Sequence, residues 1–354
     1  MRIQLGISLA ALLLWSVSVE AASCPPNDKP VPVVTIAPHQ QGGFSWGAVI
    51  RPMNDPCVYA IGVESTNAAA WYVGGMNGLY MTKNAGATWT KPLNGIVGVI
   101  YLDSGHQLVY VGIANKLWLS RDHGANWNAI GTYNATVKSV LVANGKLYVG
   151  LGWNTHAVPS GVWVSNLGGG LPVFKAFGAG HTGLIVWSLA YDPLATMLYA
   201  GCEIFDHLPA PYKPKFFRSQ NGGANWTNVQ GTMKNHIVAS AIRPSDGYVY
   251  ALNEAAGVYG SATHGTTWIP PVSPMGVGDS LLMDPLLTTR LFAGRQKSGL
   301  AIGDGGIWKS IDEGKTFTAI GLPGATVAQL AFNGTRTKIY ATAYASGVYI
   351  SPVP

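Results

Sequence analysis

The chain has 354 residues, 48% of them hydrophobic and only 11% charged, with 45 glycines and a formal net charge of +6. That composition excludes a disordered polymer and suits a strand-rich body long enough to bury a core. The basic residues are scattered and no helix-borne recognition motif accompanies them, which excludes nucleic acid as a partner, although the positive balance permits attraction to acidic glycans or anionic surfaces.

After Arg2 an apolar run from Ile3 to Val19 ends at the small-residue site Val19-Glu-Ala21, the pattern of a secretory signal peptide over residues 1–21. Its core is short and no second apolar span follows, so the expectation is a secreted or periplasmic protein without a membrane span. Lipidation at Cys24 would call for a Leu in the Ala-Ala-Ser stretch before it, and none is there. Residues 22–30 read as an N-terminal arm. Of the three cysteines, Cys24 and Cys57 are the expected disulfide, pinning that arm to the body, whereas Cys202 lies within a strand as a small hydrophobe. No zinc spacing and no cofactor motif is present, so neither a metal nor a cofactor is expected.

Residues 31–354 carry a repeated eight-residue box. It reads Thr82-Lys-Asn84-Ala-Gly86-Ala-Thr-Trp89, Ser120-Arg-Asp122-His-Gly124-Ala-Asn-Trp127, Ser219-Gln-Asn221-Gly-Gly223-Ala-Asn-Trp226, Ser261-Ala-Thr263-His-Gly265-Thr-Thr-Trp268 and Ser310-Ile-Asp312-Glu-Gly314-Lys-Thr-Phe317. A short polar side chain that bonds back to turn amides, a Gly at a φ > 0 corner and an aromatic plug are what a tight strand-to-strand turn requires. A degraded copy from Ser165 to Phe174 brings the gaps between aromatic anchors to 38, 47, 52, 42 and 49 residues. Periods of this size with about four short strands each predict a β-propeller.

The units are expected to open with Ala48-Val-Ile-Arg-Pro52, Leu189-Ala-Tyr-Asp-Pro193, Ala241-Ile-Arg-Pro244 and Leu281-Leu-Met-Asp-Pro285, followed by second strands such as Val58-Tyr-Ala60, Leu198-Tyr-Ala200 and Val249-Tyr-Ala251. Six units fill the chain to about residue 324, and a seventh stops after three strands at Ser351. The fold expected is therefore all-β, a single seven-bladed propeller whose last blade is closed by an N-terminal strand, Val31 to Ala37, pairing otherwise open edges.

The box resembles the Asp-box, or BNR, repeat of sialidases, xyloglucanases, sortilin-type receptors and photosystem II assembly factors. The resemblance covers nearly the whole mature chain. It implies that Asn84, Gly86, Trp89, Asp122, Gly124, Trp127, Asn221, Gly223, Trp226, Gly265, Trp268, Asp312, Gly314 and Phe317 are structural, because the box carries no chemistry in those families.

Recognition is then expected on the opposite, loop-rich face, where the loops from Glu64 to Asn77, Trp153 to Ser160, Glu203 to Lys215 and Arg295 to Gly306 are exceptional in length or composition. Aligning first strands on their turn prolines makes Trp46, Trp187 and Asp279 equivalent beside the channel mouth. With Trp71, Tyr72, Trp153, His156, Asp206, His207 and Arg295, the two tryptophans form the candidate ligand-binding set, since aromatic rims stack on sugars or accept a partner's side chains. The structural alternative is that Trp46 and Trp187 only pack between blades. His39, His181 and His236 share the face with Glu64, Glu203, Glu254, Asp279 and Asp304. No close His pair points to a metal.

Glu203 and Glu254 follow Tyr-Ala-x-x in adjacent units and so occupy one structural position; with Asp279 they are the candidate catalytic carboxylates if the protein is an enzyme, since glycoside hydrolysis needs two carboxyls roughly 5 or 6.5–9.5 Å apart. The resemblance to xyloglucanases includes Gly42-Gly-Phe44 but fails at the first-unit carboxylate, where the chain reads Tyr59-Ala-Ile-Gly-Val63 with Glu64 one place late, and those enzymes form their cleft between two propellers. The three converging arginines of sialidases are also missing, Arg51-Pro52 reading as punctuation on the box face. The leading expectation is a monomeric, non-catalytic module binding a glycan or a protein. A xyloglucanase-like or sialidase-like glycoside hydrolase and an assembly factor similar to the photosystem II type are the alternatives.

Overall fold

The computed structural model describes residues 19–23, 30–34, 39–47, 50–52, 55–105, 107–152, 161–167, 184–204, 213–272, 276–297, 305–344 and 346–354. All of their regular structure is β. Seven antiparallel sheets follow one another along the chain: blade 1 over residues 58–94, blade 2 over 97–132, blade 3 over 137–166, blade 4 over 184–228, blade 5 over 237–261, blade 6 over 278–321 and blade 7 over 327–352. Their innermost strands are Val58–Val63, Val97–Asp103, Val137–Ala143, Leu184–Asp192, Ile237–Ile242, Gly278–Met283 and Val327–Phe332. Each packs against the inner strand of the next blade, and the seventh returns to the first, so the sheets form a closed seven-bladed propeller.

The core is divided accordingly. One apolar cluster fills each blade junction, as with Tyr72, Leu79 and Met81 of blade 1 against Val97, Val109 and Val111 of blade 2, or Tyr250 and Leu252 of blade 5 against Leu291 and Ala293 of blade 6. A second-strand glycine lets the blades meet. A Cβ on Gly74 would stand 2.4 Å from Val97 Cγ1, and one on Gly112 would stand 2.7 Å from Val137 Cγ1. Side chains there would force the ring open.

Ring closure departs from the sequence expectation. Residues 30–34 pair with residues 19–23, not with the C-terminal strand. The segment that zips beside Gly347–Pro352 includes residues 44–47 and 50: Gly47 N donates to Ile350 O at 2.9 Å, and Ile50 exchanges both backbone bonds with Val348. Trp46 fixes this strand by donating from Nε1 to Ile320 O at 2.9 Å while its ring is buried with Phe44 and Phe292. The physical reason is alternation: Phe44 and Trp46 are buried while Ser45 is exposed, a pattern that seats a strand against a core. Gly42 and Gly43, at φ of 58° and 84°, merely turn the hairpin before it. Of the expected opening strand Ala48 to Pro52, the described Ile50 thus pairs with blade 7, and blade 1 opens at Val58; the segment Val58-Tyr-Ala60 is an inner strand rather than a second strand.

The boxes join third to fourth strands. In blade 2, Ser120 Oγ accepts from Gly124 N at 2.8 Å and Asp122 Oδ1 accepts from Asn126 N at 2.8 Å. Blade 6 repeats both bonds, Gly314 N to Ser310 Oγ at 2.8 Å and Thr316 N to Asp312 Oδ1 at 3.0 Å. Backbone donation to Asp122, chiefly from Asn126, lowers its carboxyl to about 2. Each box leans on the preceding blade: Trp127 packs edge-on against Tyr72 and Trp268 against Phe216. Cys57 is disulfide-bonded and Cys202 is a buried free thiol; Cys24 lies outside the described residues.

Candidate functional site at the channel mouth

Every inner strand carries a β-bulge at one register position, which displaces Tyr59, Gly98, Lys138, Trp187, Val238, Asp279 and Ala328 from the ladder. A bulge re-aims its side chain. Here it does so at the strand's first turn, at the channel end that also receives the tips of the second strands. Those tips are Met76, Ala114, Gly152, Glu203, Glu254, Gln296 and Tyr344, so two concentric sets of side chains meet at the mouth.

The two sets bond to each other in blades 4 and 6. Trp187 Nε1 donates to Glu203 Oε2 at 3.0 Å. Lys138 of blade 3 holds Nζ 5.4 Å from the centroid of the Trp187 ring, a cation–π contact. His236, just before the blade 5 inner strand, places Nδ1 3.5 Å from Glu203 Oε2 and 3.2 Å from Glu254 Oε2. In blade 6 Gln296 Nε2 donates to Asp279 Oδ1. Tyr59 and Tyr344 meet edge-on, with centroids 5.3 Å apart, across the junction of blades 7 and 1.

Burial biases these groups toward their neutral or paired forms. Glu203 is 5% exposed, and that burial raises its carboxyl against the opposing pull of His236 and the Trp187 bond. Burial likewise pushes Asp279 up to about 7, opposed by the Gln296 bond, and its Oδ2 is buried with no hydrogen-bond partner among the described residues. His236 is raised, most by its bond to Glu254. Burial lowers the Lys138 ammonium.

Of the residues singled out in the sequence, the structure brings Trp187, Glu203, His236, Glu254 and Asp279 together. Trp187 and Asp279 are register-equivalent, as are Glu203 and Glu254. Arg295 ends a second strand on the same face and stacks its guanidinium 4.6 Å from the Trp308 centroid. Trp153, His156, Asp206, His207, His181 and Asp304 lie outside the described residues.

Four expectations are corrected. Trp46 belongs to the closing strand, and its bulge-position counterpart in blade 1 is Tyr59. Trp71 and Tyr72 are core residues, 1% and 2% exposed, packed on Trp89 and Trp127. Glu64 and the loop after it lie on the box face, where Glu64 accepts from Tyr72 Oη at 2.6 Å and faces His123 Nδ1 at 3.0 Å. The blade 1 counterpart of Glu203 is therefore Met76, which has no carboxylate. Conversely Arg51 is on the loop-rich face, its Nε donating to Ser346 O at 2.9 Å. Lys138, Gln296, Tyr59 and Tyr344 were not singled out in the sequence. Aligning Val58-Tyr59, Val137-Lys138 and Val186-Trp187 at the inner-strand bulges, rather than aligning on turn prolines, is the signal that finds Tyr59 and Lys138.

Chemically, the mouth presents an indole, a desolvated ammonium and three carboxyl groups, of which burial raises Glu203 and Asp279. The His236 imidazole occupies the gap between Glu203 and Glu254, where two hydrolytic carboxyls would have to admit a glycosidic oxygen.

No protein-family profile matches the chain, and no curated protein matches it in sequence. Solved structures do match in shape. YCF48 from Cyanidioschyzon merolae superposes with a TM-score of 0.60 at 15% identity over 87% of this chain and 98% of that one, and YCF48 bound to D1 peptide does so at 0.60 and 13% over 87% and 97%. A GH74 enzyme from Niastella koreensis matches at 0.64 and 17%, covering 85% of this chain but only 53% of the enzyme. The extracellular domain of a proposed one component system from B. thetaiotaomicron matches at 0.64 and 10%, over 86% and 39%. At such identities these likenesses establish the seven-bladed propeller and leave the chemistry of the mouth to its own residues.

Proposed function

We propose that this protein is an exported, non-catalytic binding module of the Asp-box kind that takes a polypeptide segment of a partner at the loop-rich mouth of its channel. The observation that carries this reading is the engagement of His236 with both Glu203 and Glu254, which ties up the one pair of register-equivalent carboxylates and leaves Trp187 and Lys138 as the distinctive recognition surface. Aromatic and mixed-charge mouths suit peptide side chains and backbone amides. The likeness in shape to a propeller described as bound to D1 peptide supports the choice of a polypeptide over a glycan.

A second reading, a glycoside hydrolase acting on a polysaccharide, is favoured by one observation: burial raises both Glu203 and Asp279, as a proton donor requires. One experiment separates the two. The purified protein is screened on a peptide array and on polysaccharides, recording retention and reducing-end release together. The binding reading expects peptide retention that Trp187→Ala abolishes and Glu203→Gln spares in part. Release of reducing ends, lost in Glu203→Gln, would replace it with the hydrolase.

A further inference from the structure

On the box face, away from the mouth, the blade junctions share a polar anatomy. The residue that ends an inner strand meets the residue before the box glycine of the next blade. At the junction of blades 1 and 2 this is Glu64 with His123 at 3.0 Å; between blades 4 and 5 it is Asp192 with His264 at 3.3 Å; between blades 5 and 6 it is Arg243 with Glu313 at 2.5 Å. Between blades 7 and 1 the equivalents are Asn333 and Ala85, and the gap is filled by backbone: Tyr340 Oη donates to Ala68 O at 3.1 Å, and a Cβ on Gly334 would stand 1.8 Å from Ser65 O.

At the junction of blades 3 and 4 the equivalents are Ala143 and Gly222, and among the described residues neither latch nor loop fills the space. A cavity of about 210 Å³ results, lined by Asn144, Lys146, Tyr148, Tyr191, Gln220 and Asn221 among others, and no carboxylate is among its lining residues. Lys146 leans across it, its Nζ 3.0 Å from where a Gly222 Cβ would stand. Tyr148, the counterpart of the Tyr72 that donates to Glu64, reaches only Gly222 O at 3.5 Å. The site thus keeps the tyrosine of a latch and lacks its acid, and its cation, Lys146, comes instead from the start of the second strand.

We propose that this cavity binds a small hydroxylated carboxylate, of the size and chemistry of a single sugar acid. The carboxylate supplies the missing anion to Lys146, and its hydroxyls take the side-chain amides of Asn144, Gln220 and Asn221 between two tyrosines. The inference is independent of the function proposed for the mouth, which lies at the other end of the channel.

The test is titration of the full chain with sodium glucuronate, with glucose as the neutral control of the same shape, followed by calorimetry and by ligand-observed NMR. Saturable glucuronate binding in the millimolar range or tighter is expected, with glucose bound at least roughly tenfold more weakly, because the charge-assisted bond is lost. Lys146→Met should weaken glucuronate by roughly tenfold or more. Ala143→Glu, which restores an internal acid at the position Glu64 holds in blade 1, should displace the ligand while the protein stays folded. Absence of saturable glucuronate binding, equal binding of glucose, or unchanged affinity in both variants overturns the proposal.

Discussion

Trp187 and Glu203 lock the inner and second strands of blade 4 together at the channel mouth, indole Nε1 to carboxylate Oε2 at 3.0 Å, with the carboxylate 5% exposed. A buried acceptor that loses its donor keeps its desolvation cost. Trp187→Phe retains an aromatic ring but removes the N–H, and should destabilise the fold by about 1–3 kcal/mol in urea unfolding. An unchanged midpoint would show that the bond has no net energetic role.

The His236 contact makes stability depend on pH in a defined direction. Its folded value lies above the ordinary 6.5, with Glu254 the largest cause. The native state therefore binds more protons than the unfolded one in the window above 6.5, and the stabilisation, complete below that pH, is lost as pH rises through the folded value. His236→Gln should remove this downward slope from a series of urea midpoints between about pH 6 and 9.

Asp279 acts in a lower window. Its carboxyl moves from 3.8 to about 7 on burial, so the folded state holds a proton that the unfolded state releases, and stability falls as pH rises between those two values. Asp279→Asn, which keeps the Gln296 neighbour and cannot ionise, should flatten that fall and raise stability at neutral pH. If the slope between about pH 4 and 7 persists in the variant, the proton resides elsewhere.

Closure through Phe44–Trp46, Gly47 and Ile50 predicts the outcome of truncation. A chain starting at residue 39 retains the strand beside Gly347–Pro352 and should unfold in one cooperative transition; one starting at residue 51 exposes that edge and loses the Trp46 anchor. Removing the buried Trp46 side chain alone should cost about 3–5 kcal/mol. Comparing both truncations under reducing conditions by calorimetry and light scattering checks this.

The box glycine is a packing requirement as well as a turn requirement. Gly124 sits at φ +79°, and a Cβ there would stand 2.1 Å from Met81 Cε in the preceding blade. Gly124→Ala should destabilise by about 1–3 kcal/mol, mostly through strain, because the Met81 tip can move. Ligand retention at the mouth should be unaffected, which separates scaffold from site in a single variant.

Blade number and the turn boxes are legible in the sequence because each depends on local rules: an eight-residue pattern needs its own hydroxyl, carboxylate or amide, and glycine, and it recurs in five of the seven blades at blade-sized spacing. Which strand closes the ring is not local. Val31 to Ala37 reads as a strand in the sequence, and only the buried faces of Phe44 and Trp46 against blade 6 show that the segment from residue 44 takes that place. Ala48 to Pro52 imitates in sequence the proline endings of the inner strands, which is why the true places of Trp46, Trp71, Tyr72 and Glu64 are not legible from the chain alone.

By itself the sequence determined an all-β ring of seven units with structural boxes, since hydrogen-bonding turns and alternating strands are written in neighbouring residues. Tertiary structure alone decided that Lys138, Trp187, Glu203, His236, Glu254 and Asp279, drawn from four blades, share one mouth, and that blades 3 and 4 leave a cavity where three other junctions make a latch. Those juxtapositions arise from a common bulge register and from packing between blades, which are relations between residues far apart in the chain and carry no signature in any short stretch of it.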